Sequence, residues 1–208
     1  MLGLLYKDII SSRKFILLAW GLAVAFSIIL AFDNQTIMMG VLSMVFLMSY
    51  MTILVRFFQA EEKDNTMVLL KTLPISYTLI VASKHLLCFL TAVSSTLLFF
   101  LVSLLLPGVG IGAWSEASVF FILYLIIIGT SYSAVGIFVS LRYGCSYVNV
   151  TNAMIYLLIV FLMSVGIPQY SLVPTLQNVV IMFTLVIISI VLFLLSVRAV
   201  KVRNFLND

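Results

Sequence analysis

Long apolar runs alternate with short polar segments along the chain. Phe15 to Phe32, Ile37 to Val55, Leu86 to Leu106, Ala117 to Leu141, Val148 to Ile167 and Val179 to Val197 contain no Asp, Glu, Lys or Arg. Each run is close to the roughly 20 residues that an α-helix needs to cross a bilayer. None shows the strict alternation of a barrel strand, and only helices and closed barrels satisfy their backbone in lipid. The pattern predicts an all-α membrane protein with six transmembrane helices. The first run follows Arg13 and Lys14 as a signal peptide would. It is longer than an ordinary apolar signal core and has no small-residue cleavage site before Asp33, so it is read as a retained helix.

Composition agrees with this pattern. At 64% hydrophobic and 9% charged residues, with a mean hydropathy of +1.29, the chain lacks the polar surface to cover a water-facing globule. Short cytoplasmic loops hold Lys and Arg. Here Lys7, Arg13 and Lys14 precede the first span, Arg56, Lys63, Lys71 and Lys84 lie between the second and third, Arg142 follows the fourth, and Arg198, Lys201 and Arg203 follow the sixth. The other connections hold no basic residue, which predicts that both termini are cytoplasmic. This rule also accounts for the net charge of +4, and no basic, aromatic-interleaved patch points to nucleic acid. Cys88 falls within a span and Cys145 in a connection on the cytosolic side, so no structural disulfide is expected.

Two cytoplasmic elements stand out. In residues 1–14, Leu2, Leu5, Tyr6, Ile9 and Ile10 fall on one helical face and Lys7, Asp8, Ser11, Ser12 and Lys14 on the other, with Leu4 and Arg13 as exceptions. This predicts an amino-terminal interfacial helix lying in the headgroup plane, with a turn at Ser11 and Ser12. The alternative is the plain start of a long first helix. The second element is the loop over residues 59–80. Asp64 or Asn65 is placed to cap a short helix, "TMVLLKTL", which Pro74 ends, and Ser76 is placed to cap the next helix. Met67, Val68, Leu69, Leu70 and Leu73 would then form an apolar surface, either a docking element or packing beneath the bundle.

"LLYKDI" at residues 4–9 and "FFQAEEKDNTMVLLKTLPISYTLIVASK" at 57–84 resemble membrane subunits of the ABC transporter type-two permease family. The likeness is strongest to a bacterial branch that exports peptides and antibiotics, such as exporters of phenol-soluble modulins. The matching features are Lys7 and Asp8, Glu61 and Glu62, Leu69 and Leu70, Leu73 to Ser76, and Ile80, Val81, Ser83 and Lys84; Tyr77 stands where the family often has a basic residue. The resemblance implies a single permease domain over residues 1–208 in the plasma membrane of a bacterium. It would be partnered by a cytosolic ABC ATPase and by a second permease, identical or related. Residues 59–80 would be the coupling loop, with Glu61, Glu62, Lys63, Asp64 and Lys71 orienting it on the ATPase, Leu69, Leu70 and Leu73 as the apolar anchor, and Pro74 and Ser76 shaping its end. Leu5, Tyr6, Lys7, Asp8 and Arg13 of the interfacial helix would brace the same interface.

The chain has no GxxxxGK[ST] sequence, so ATP and Mg would be bound by the partner ATPase and no cofactor by this chain. Glu61 and Glu62 resemble the paired glutamates of intramembrane metalloproteases, but one histidine, His85, is too few for such a metal site. The runs carry no ionisable side chain near a midplane, unlike ion-coupled pumps. Ser49, Tyr50 and Thr52 in the second run and Asn152 and Tyr156 in the fifth are candidates for a translocation path. Thr91, Ser94, Ser95 and Thr96 are read as bonding helix backbone, and Gly129, Ser133, Gly136 and Ser140 as a close-packing seam within one subunit. The expected function is the permease of an ATP-driven exporter for an amphipathic peptide, antibiotic or lipid-like cargo. A non-transporting scaffold or sensor, or a passive channel, is the alternative.

Overall fold

The computed structural model describes residues 2–32, 61, 70, 72–105, 116–144, 147–151, 153–154 and 176–202. Four long helices dominate: α1 (Leu2–Phe32), α2 (Tyr77–Leu105), α3 (Glu116–Tyr143) and α4 (Leu176–Val202). All four contain a stretch long and apolar enough to cross a membrane: Gly3–Ile28, Tyr77–Val102, Leu125–Tyr143 and Val179–Val202. The predicted span Ile37 to Val55 and most of Val148 to Ile167 lie outside the described residues.

Local chemistry sets the helix ends. Ser76 caps α2, its Oγ accepting from the Leu79 amide at 3.4 Å, after the chain leaves helical geometry at Leu73 and Pro74. At the end of α3, Gly144 takes a φ of 99° and its amide donates to the Ser140 carbonyl at 3.0 Å, closing the helix with a left-handed residue that glycine adopts without strain.

Contacts along the helices fix their directions. On α1 and α2, Asp8 meets Ser83, Trp20 meets Ser94 and Ser27 meets the Phe99 carbonyl, so the two run parallel. The largest apolar core joins Ile80, Val81 and Leu87 of α2 to Ile137 and Leu141 of α3 and Ala199 and Val200 of α4. The start of α2 therefore sits beside the ends of α3 and α4. Those two run parallel to each other, joined by Ser189, whose hydroxyl meets that of Ser131 at 2.9 Å. Every described basic residue, from Lys7 to Lys201, lies toward the end of the bundle that holds this core.

Two expectations about packing find answers. Gly129, Ser133, Gly136 and Ser140 are all buried, which makes them an internal seam. Thr91 and Ser95 donate to the carbonyls of Leu87 and Thr91 at 2.8 and 2.7 Å, and Ser94 donates to the Thr91 carbonyl at 3.1 Å.

The amino-terminal segment corrects the sequence reading. No separate interfacial helix exists: α1 continues through Ser11 and Ser12 without a turn, and the Ser12 hydroxyl donates to the Asp8 carbonyl at 2.6 Å. Part of its polar face is also covered by protein. Asp8 and Ser12 are buried, whereas Tyr6, Ile9 and Ile10 are exposed. Lipid is as apolar as leucine, so an apolar face gains little by turning inward. A carboxylate in the same place gains hydrogen bonds that lipid cannot supply.

Candidate functional site: a buried ring of charges

Three segments separated in sequence meet at the base-rich end of the bundle. From α1 come Lys7 and Asp8, from the loop Glu61, and from the start of α2 Ser83 and Lys84. Lys7 Nζ pairs with Asp8 Oδ1 at 2.8 Å and with Glu61 Oε1 at 3.4 Å. Glu61 Oε2 accepts from Lys84 Nζ. The Ser83 hydroxyl donates to Asp8 Oδ2 at 3.0 Å. Because Ser83 and Lys84 are consecutive, these contacts close into a ring.

Burial gives the ring its energetic character. Lys84 is 1% exposed, Asp8 1% and Glu61 4%, while the Lys7 side chain reaches outward at 37%. Isolated charges at such positions would cost several kcal/mol each, roughly, even after relaxation. Two lysines against two carboxylates leave the ring neutral; Glu61 and Asp8 Oδ2 are hydrogen-bonded within it, while Asp8 Oδ1 faces Lys7 as an ion pair without a hydrogen bond. The ring lies toward one end of the apolar stretches of α1 and α2. From Lys84 to Leu105 is about 31 Å at 1.5 Å per residue, close to one hydrocarbon thickness of about 30 Å.

The ring is flanked by the loop's apolar anchor. Leu70 is 4% exposed and belongs to the core with Ala19, Ile80 and Val81. Of the two alternatives for Leu70, docking or packing beneath the bundle, its burial matches the second. Glu61 likewise faces inward instead of outward from the loop. Leu73 remains 44% exposed, and Pro74 and Ser76 are exposed beside it. Of the remaining amino-terminal residues, Leu5 packs against the core, while Tyr6 and Arg13 are exposed. Glu62, Lys63, Asp64, Leu69 and Lys71 of the loop, and Ser49, Tyr50, Thr52, Asn152 and Tyr156 of the expected path, lie outside the described residues.

His85 follows the ring on α2. Its Nδ1 lies 3.0 Å from the Val81 carbonyl, which assigns the proton to that nitrogen, and its ring packs edge-on to Phe193 of α4 with centroids 5.2 Å apart. Among the described residues no three His, Cys, Asp or Glu side chains are grouped to hold a metal ion.

A family model described as ABC-2 family transporter protein matches residues 3–200. The chain belongs to the ABC-2 transporter family. No curated protein and no solved structure matches it. For an ABC-2 membrane protein, a multi-pass helical bundle and a partner ABC ATPase are the general setting. Within this ABC-2 chain, five of the described residues that carried the sequence resemblance, Lys7, Asp8, Glu61, Ser83 and Lys84, converge on one structure. Sequence reading singled out Ser83 and Lys84 only as part of a run, and took Ser12 for a turn. The signal available for Lys84 was a lysine eight positions into a helix that then stays uncharged to its end.

Proposed function

We propose that this chain is the permease subunit of an ATP-driven ABC exporter. It pairs with a second permease to line the path and receives force from a cytosolic ATPase through the loop between the second and third of six spans. Both termini face the cytoplasm of a bacterial cell, and ATP and Mg act on the ATPase. The cargo is an amphipathic peptide, antibiotic or lipid-like molecule, in keeping with the apolar character of the helices.

The observation that carries this reading is the attachment of the loop. A loop meant to deliver force must be fastened to the spans it moves, and Glu61 and Leu70 fasten this one to α1 and α2 by charge and by apolar packing. The six-span count is supported by direction. Parallel α1 and α2 leave Phe32 and Glu61 at opposite ends of the pair, and parallel α3 and α4 pose the same requirement between Tyr143 and Leu176. A returning span in each interval meets it. The base-rich end is the cytoplasmic one by the rule for Lys and Arg.

The test is purification in mild detergent with stoichiometry, followed by reconstitution in sealed vesicles with a fluorescent amphipathic helical peptide. The expected result is a Walker-motif ATPase at one per permease and ATP-dependent accumulation of the peptide. Recovery of the chain without any nucleotide-binding partner would replace this reading with the scaffold, and movement without ATP would replace it with the channel.

A further inference from the structure

We infer that Glu61 is a positioning residue that transmits the loop's displacement to α1 and α2 together and makes no contact with the ATPase. The inference rests on the permease reading above and concerns how that permease is driven.

Glu61 is 4% exposed, and its two oxygens are divided between Lys7 of α1 and Lys84 of α2. A side chain so enclosed offers no face to a separate protein. It does join the two helices to the loop, with Leu70 packed into the adjoining core as a second attachment. Charged hydrogen bonds in a low-dielectric site are strong and directional, so the junction is stiff.

What happens at the ring also reaches the far side of the membrane. Beyond Asp8 and Ser83, the Trp20 Nε1 donates to Ser94 Oγ at 3.1 Å and the Ser27 hydroxyl donates to the Phe99 carbonyl at 2.9 Å. From Asp8 to Ser27 is about 28 Å of helix, so these three ties span a bilayer core. α1 packs chiefly on α2 among the described helices. The pair therefore forms one lever, with the ring at its driven end.

The test uses the permease with its ATPase in liposomes, with Cys88 and Cys145 replaced by serine. Spin labels are attached in pairs through Leu17→Cys, Leu101→Cys and Phe183→Cys, all at exposed positions of α1, α2 and α4. Dilution with unlabelled chain restricts the distances to one copy. Trapping with ATP and vanadate should leave the 17–101 distance unchanged and shift the 17–183 distance. Glu61→Gln combined with Lys84→Gln removes both charges of that pair together and leaves Asp8 with Lys7, and Glu61→Asp keeps the charge but shortens the reach to two lysines. The expected result is loss of the 17–183 shift in the first and a reduced shift in the second, with the ATPase bound at wild-type stoichiometry in both. If the doubly substituted chain fails to fold, Glu61→Asp decides. A full-sized shift in the folded variants, a changing 17–101 distance in the parent, or loss of the ATPase from a folded variant would each overturn the inference. Failure of the parent to bind any ATPase would instead sink the permease reading itself, a distinguishable result.

Discussion

Lys84 is a fully buried lysine in a membrane chain, and Glu61 is what makes that position tolerable. Removing one member of a buried ion pair leaves the other uncompensated, at a cost of roughly 3–5 kcal/mol, whereas replacing both by apolar residues of similar volume is often neutral. Lys84→Met alone should therefore lower the thermal unfolding midpoint in detergent sharply, and addition of Glu61→Met should restore most of the loss. Because the pair is sealed from solvent, raising the salt concentration should leave the parent's midpoint nearly unchanged. A salt-sensitive midpoint, or additive losses in the double variant, would contradict the burial of the ring.

At the scale of elements, Leu70 and Leu73 of the loop have different tasks. Leu70 is core and Leu73 is surface. Leu70→Asp would bury an unpaired carboxylate in an apolar cluster, so it should reduce the yield of folded chain. It is a poor probe of docking for that reason. Leu73→Asp should leave the folded yield and melting temperature unchanged but release the ATPase during copurification; retention of the ATPase would exclude Leu73 from the interface. The sequence pattern marked this loop and the helices clearly, since lipid demands long uncharged runs whatever packs beside them. It missed that α1 is one continuous helix. Sorting Tyr6, Ile9 and Ile10 from Lys7, Asp8 and Ser12 finds two faces. What covers Asp8 is its need for a hydrogen bond, and its partner Ser83, 75 residues away on α2, leaves no trace in local periodicity.

Across the whole molecule, the basic side chains among the described residues gather at one end of the bundle, while Glu116 opens α3 at the other. Seen from the described helices, the amino-terminal end of α1 and the carboxyl-terminal end of α4 share the base-rich end. In a chain with Cys88 and Cys145 replaced by serine, Tyr143→Cys and Lys201→Cys should react with a membrane-impermeant maleimide only after cells are permeabilised, while Leu105→Cys reacts in intact cells. Reaction of both ends in intact cells would refute the assignment of sides. The expected sides rest on the resistance of basic residues to translocation. Parallel pairing of α1 with α2 was not legible in the sequence, because nothing in a run of Leu, Ile and Phe specifies its neighbour.

That parallel pairing also imposes a timetable on biosynthesis. The partners of Asp8, Trp20 and Ser27 lie 75, 74 and 72 residues further along the chain. At 5–20 residues per second, α1 waits roughly 4–15 s on the ribosome before the hydroxyls and carbonyl it needs have been made. During that interval the nascent first helix stands in the membrane with Asp8 still lacking its partner on α2, while Ser27 keeps its bond to the Ala23 carbonyl.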